Sequence, residues 1–249
     1  MGTMQWLSHF RQSVDRPRDV DWSRGIQLAP EVRGPVLHAM RTFQRGLTSS
    51  GLDLRTKVRH HCPAEYAECV DLYVREKNVH GELLMRWIWE MGSEPAHRVL
   101  VDFGFRRLRR RFDWLRELMV LQTAEMASVP FFRMLSHQVS DPATRQMLEH
   151  ILLDQSYHLG FHIDHLRAEL QLRPRWERLL QRQAWSSLFA GTLSALMLET
   201  RDVFDALEYD RLAFWTDAWN LFAQVQTGIH GSQHLAAVLG RDPRLRFAL

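Results

Sequence analysis

Apolar residues recur at three- and four-residue steps along almost the whole chain, and no stretch alternates apolar with polar residues as a half-buried strand would. That period, broken only by proline and glycine stops, restricts the chain to an all-α fold. A first helix is predicted over about 30–48, opening at Pro30 and closing at Thr48-Ser49-Ser50-Gly51. A second starts near Pro63 and runs to Met91, where Gly92-Ser93-Glu94-Pro95 stops it. Its stripe comprises Leu72, Tyr73, Val79, His80, Leu83, Leu84 and Trp87. A connection of about 20 residues, expected to hold a short helix, leads to a third helix over about 110–138 with a kink expected at Pro130. Ser140-Asp141-Pro142 opens a fourth that reaches about Leu170, because a capping side chain stands just before a first-turn proline. Two more helices fill about 175–208 and 210–239, with Gly240 as the stop. Residues 1–29 show no sustained period and read as an irregular arm anchored by Trp6 and Trp22.

Composition narrows the function classes. The chain has 249 residues, 45% hydrophobic and 24% charged, enough to bury a full core. Ala184–Leu198, its most apolar window, is too short and too rich in serine to span a bilayer, so no membrane partner is expected. No basic, apolar leader opens the chain. Cys62 and Cys69 lie seven apart, too far to bridge along one helix, which fits a reducing cytoplasm. The net charge of +3 is modest. Its basic cluster, Arg106-Arg107-Leu108-Arg109-Arg110-Arg111, reads as a solvated face, or else as a docking patch for an acidic partner. Nucleic acid is disfavoured because no aromatic residues interleave with it. No phosphate-binding glycine loop and no nucleophile–histidine pair stands out.

The order of connections is more telling: short join, long join, short join. Two hairpins with a long crossover make the four-helix arrangement in whose interior di-iron proteins place their ligands. The second helix reads Glu76-Lys77-Asn78-Val79-His80, the third Gln122-Thr123-Ala124-Glu125, and the fourth Asp154-Gln155-Ser156-Tyr157-His158. On these residues the chain resembles the ferritin-like superfamily over about 30–170, with 171–249 as a C-terminal helical pair packed on the bundle. The spacing within each hairpin agrees: Gln155 follows Glu125 by 30 residues, and Lys77 follows Leu47 by 30.

The resemblance implies six ligand positions, here Leu47, Lys77, His80, Glu125, Gln155 and His158, of which three have lost their carboxylate. It also implies that Glu76 and Asp154 orient the two histidines from outside. The expectation is a degenerate di-iron site with no metal or other cofactor, in which Lys77 replaces the metal as the partner of Glu125. The protein then reads as a metal-independent pseudoenzyme that binds a small molecule or acts as a structural or regulatory partner, with oligomerisation left open. Two rivals stay open: a non-haem iron oxidoreductase with a rearranged His80/His158/Glu125 site, and a metal-free enzyme using His80, Glu125 and His158 as catalytic acid and base. Other features carry bland readings. His158, His162 and His165 are taken as polar residues along the bundle's end, and Trp215 and Trp219 as packing between the last helices. Ser186, Ser187, Ala190, Gly191, Ser194 and Ala195 thin one side of the fifth predicted helix, so a close neighbour is expected there.

Overall fold

The computed structural model describes residues 2–47, 51–95 and 113–231. Among them the chain is helical, with no strand: α1 (Thr3–Ser13), α2 (Pro30–Leu47), α3 (Leu52–His61), α4 (Ala64–Glu90), α5 (Trp114–Gln138), α6 (Pro142–Gln171), α7 (Arg175–Glu199), α8 (Arg201–Ala206) and α9 (Arg211–His230). No helix among these residues is long and apolar enough to cross a membrane. The short helix expected in the long connection, the arginine cluster 106–111 and the stop at Gly240 lie outside the described residues.

The four long predicted helices correspond to α2, α4, α5 and α6. Two lateral pairs carry the most packing, α2 on α4 and α5 on α6, and α4 also meets α6. One apolar core joins them through fully buried Trp87, Phe131, Phe132, Met147 and Ile151, with Phe43 of α2 wedged against Phe131 and Phe132 at 5.0 and 4.7 Å. The third helix is continuous through Pro130, which is buried. Helix α9 packs on both α5 and α6, and α7 packs on α5. Trp185 fixes that last contact by donating to Thr123 Oγ1 at 2.7 Å. Trp219 meets Phe189 edge-on at 5.2 Å, so it packs between α9 and α7.

Two expectations need correction. The stretch read as an irregular arm contains α1, an amphipathic helix burying Trp6, Leu7 and Phe10 on α4 and α6. Eleven residues give only three turns of period, which a whole-arm window dilutes. The short join between the first two helices contains α3, so they do not form a tight hairpin. Gly51 starts α3 at φ 60°, and a Cβ there would come within 2.8 Å of Val74.

Asp141 shows how the arm is tied down. Its carboxylate caps α6 by accepting from Thr144 N at 2.7 Å, and its other oxygen accepts from the Gln27 backbone at 2.9 Å. Removing a cap costs about 1 kcal/mol, and loss of the part-buried Gln27 hydrogen bond adds to that. Asp141→Ala is expected to lose about 2 kcal/mol of stability in urea unfolding and Asp141→Asn clearly less. Equal losses would leave the carboxylate without a special role.

Candidate functional site

Helical spacing puts the polar residues on inward lines. Tyr73, Glu76 and His80 share one face of α4, Asp154 and His158 one face of α6, and Gln122, Glu125 and Ser128 one face of α5. Glu76, His80, Glu125, Asp154, Gln155 and His158 are all buried. An ionised carboxylate is tolerable there only if paired and hydrogen-bonded.

The pairing is crossed. Glu76 stands four residues before His80 but bonds His158, its Oε2 accepting from Nε2 at 2.9 Å. Asp154 stands four residues before His158 but bonds His80, its Oδ2 accepting from Nε2 at 2.9 Å. Each helix therefore holds the other's imidazole. The second ring nitrogen of His158, Nδ1, faces Glu125 Oε1 at 2.9 Å. Lys77 Nζ, on a side chain 18% exposed, donates to the same oxygen at 3.2 Å. The Tyr73 hydroxyl reaches Glu125 Oε2 at 3.4 Å.

The remaining cations come from the segment after α1, where sequence reasoning placed an anchoring Trp22 but no site residue. Arg18 is buried and spends all its nitrogens. Nε donates to Asp154 Oδ2 at 2.6 Å and Nη2 to Glu76 Oε1 at 3.0 Å, while the backbone oxygens of Arg16 and Ser13 take the rest. Arg16 donates to Asp154 Oδ1. Phe10 of α1 stacks on the His158 ring at 6.1 Å, closing that side.

Electrostatics follow from the contacts. Burial opposes ionisation of Glu125, but Lys77 and His158 outweigh it and hold the carboxyl well below the usual range. Asp154 is lowered likewise by His80 and Arg18, and Glu76 by His158. His158 is buried yet raised to about 9, because Glu125 and Glu76 flank both its nitrogens. It is an imidazolium, with both nitrogens donating. His80, beside one carboxylate only, is pushed down to about 4 by burial and is neutral. Its Nε2 carries the proton toward Asp154, leaving Nδ1 a buried acceptor with no hydrogen-bond partner.

Other expected positions behave differently. Gln155 is buried, and its amide donates to Ser128 Oγ at 2.9 Å, away from the carboxylates. Leu47 is half-buried against the main apolar core, whereas Gln44 is the buried residue of that turn. The structure does not bring Leu47 into the cluster. His162 and His165 do not line a polar end, because both sit among aromatic rings. His165 stacks on Tyr66 at 3.6 Å, and Tyr73 meets His162 edge-on at 4.6 Å. Burial lowers them to about 4 and about 3 for His165 and His162 respectively.

The residues do not fit a di-iron centre. Of the six positions only Glu125 is a carboxylate, and its oxygens are turned onto Lys77, His158 and Tyr73. Among the described residues no three His, Cys, Asp or Glu side chains are placed to hold one ion. Cys62 and Cys69 are both free thiols, on the C-cap of α3 and within α4.

An open cleft of about 310 Å³ adjoins the network. Arg16, Arg18 and Arg86 line it together with Asp15, Glu82 and the apolar Val14, Val79 and Leu83. Comparison of the chain with protein-family models, curated proteins and solved structures finds no match.

Two outcomes are expected. Lys77→Met and Glu125→Gln should each destabilise the protein, Glu125→Gln by up to about 3–5 kcal/mol and Lys77→Met, being part-exposed, by less, with the double variant recovering part of the loss. Simple additivity in urea unfolding would mean the pair is uncoupled. The second outcome is a stability maximum near pH 6.5. His158, raised to about 9, contributes fully below its unfolded value of 6.5, and that contribution is lost as pH rises through 9. His80, His162 and His165 are lowered, so their effect is full above 6.5 and is lost as pH falls toward about 4 and 3. His158→Gln should flatten the alkaline limb, whose fall is on the order of 3 kcal/mol or less.

Proposed function

We propose that the protein is a metal-independent, ferritin-like bundle that binds a small molecule, its own cations standing where iron-using relatives hold metal. One observation carries the reading. All six oxygens of Glu76, Glu125 and Asp154 accept a hydrogen bond from a protein group. Three carboxylates face four cations, namely Arg16, Arg18, Lys77 and charged His158. Two divalent ions would add four positive charges to a centre already compensated, in surroundings where Coulomb repulsion is weakly screened.

The cleft beside Arg16 supplies the place for a ligand. The Arg16 side chain is one-third exposed, bonds Asp154 from the cleft wall, and stands near the apolar Val14 and Val79. The chemistry suits a small molecule with an acidic group on an apolar body. A ligand carboxylate would compete with Asp154 for Arg16, which couples occupancy of the cleft to the buried network. The function is then recognition or regulation, with no oxygen chemistry on the scaffold.

A second reading rests on His80 Nδ1, a buried acceptor with no partner. Such a nitrogen is a metal ligand in waiting. A single ion at His80, His158 and Glu125 would require the His158–Glu125 bond to break and His158 to lose its proton.

Metal analysis separates the two. Protein made in iron-supplemented medium is expected to hold far less than one iron per chain. Near-stoichiometric iron that disappears in His80→Ala would overturn the first reading and establish the second. For the cleft, a panel of aryl and alkyl carboxylates should raise the Tm of the parent protein and have less effect on Arg16→Gln. No response from any member would remove the cleft as the binding place.

A further inference from the structure

The charged network takes up only part of the bundle's polar interior. Helices α5 and α6 run antiparallel there. Gln155 donates to Ser128 at 2.9 Å and, one turn on, His158 meets Glu125 at 2.9 Å. The next turn in the same register sets Gln122 of α5 against His162 of α6. Both side chains are fully buried, at 0% exposure. Neither ring nitrogen of His162 and neither amide atom of Gln122 has a hydrogen-bond partner among the described residues. The Tyr73 ring stands edge-on to His162 at 4.6 Å, but its hydroxyl reaches Glu125 instead.

Four unmet polar atoms on two enclosed residues are out of keeping with a packed interior, where nearly every buried donor and acceptor is paired. Had the two positions been meant to stay dry, apolar side chains of the same size would serve at no cost in lost hydrogen bonds. Their chemistry says what they accept. A glutamine amide offers donors and an acceptor, and an uncharged imidazole offers one of each. His162 is uncharged because burial pushes it down to about 3. Such a pair suits a neutral molecule that donates and accepts at once. A metal ion is not suited, since among the described residues no three His, Cys, Asp or Glu side chains come together around His162. The cleft beside Arg16 is lined by other residues and does not lead to this pair.

We propose that His162 and Gln122 form an internal hydration site, in which ordered water bridges the imidazole to the amide one helical turn from Glu125. Water is the smallest molecule carrying both donors and acceptors, so it fits a polar site sealed from solvent that leaves no way in for an organic ligand. The nitrogens of an imidazole point apart, so one water does not serve both, and the site takes at least a pair. Buried water makes about three hydrogen bonds. His162 and Gln122 supply two of these partners. Glu125, close enough to act on the His162 ring electrostatically, faces the same space as an acceptor. The charged network thereby gains one side that can reorient. Its arginines and histidines are fixed by their hydrogen bonds, whereas a bound water can turn its dipole toward Glu125. This site stands apart from the cleft and does not rest on the function proposed above.

The parent protein itself carries the test. In nitrogen-15-labelled protein, Overhauser spectra recorded in the laboratory and rotating frames should show cross-peaks from water to the His162 ring N–H and the Gln122 amide, with the relative sign of bound water. Oxygen-17 relaxation dispersion of the solvent counts long-lived internal waters, and Gln122→Leu/His162→Phe should lower that count while helical circular dichroism stays unchanged. Absence of the water cross-peaks from the parent would overturn the proposal, whether or not the double variant folds. So would a through-bond coupling that joins the Gln122 amide directly to the His162 ring, or a folded double variant with an unchanged water count. A small organic molecule released on denaturing the parent, and missing from the double variant, would overturn water as the occupant.

Discussion

Three buried carboxylates stand at the centre of this bundle, and the rest of the structure is arranged around keeping them charged. Isolated, each would cost several kcal/mol or take up a proton. Arg18 meets two of them at once, at 2.6 Å from Asp154 and 3.0 Å from Glu76. His158 meets the third together with Glu76, joining α4, α5 and α6 through one ring. The long helices are thus held by charge as well as by Trp87, Phe131 and Phe132.

That arrangement explains why α1 and the chain after it are part of the fold. Trp6 and Phe10 bury apolar surface against Phe161, worth roughly 1.5–3 kcal/mol per side chain. The greater consequence is that α1 delivers Arg16 and Arg18 to Asp154. Detaching α1 would leave Asp154 and Glu76 short of cations, so arm and network stand or fall together. The same coupling gives a route from the cleft to the interior: whatever engages Arg16 alters what Asp154 holds, and Asp154 in turn fixes the tautomer of His80.

The long helices were legible because their periods extend over many turns and their ends carry strong signals. Asp141 before Pro142 is a capping side chain by chemistry alone, and the structure has it accepting from Thr144. Lys77 beside Glu125 was also readable, because the resemblance set both among the ligand positions and their charges are opposite. Arg18 was not. It comes from a stretch without period and meets Glu76 and Asp154 across separations of 58 and 136 residues. Helix α3 escaped for a related reason, its run of Arg, Lys and His masking the buried Leu54 and Val58. The inward place on α2 was set one turn off, at Leu47, because a 30-residue step within a hairpin assumes a tight turn, and α3 occupies that connection. The outer face of α7 was legible as small residues but not as exposed ones, since sequence does not say which side of a helix has company.

The central claim is that the protein supplies from its own side chains the positive charge that its three buried carboxylates require, and the His158 ring is where it can be read. Nitrogen-15 spectroscopy of histidine-labelled protein, with His158→Gln to assign the signal, reports the protonation of each ring nitrogen directly. The expected result at pH 7 is an imidazolium with protons on both Nδ1 and Nε2, titrating near 9. A neutral His158 at pH 7 with one bare nitrogen would contradict the account, because Glu125 would then lack the partner on which the compensation depends.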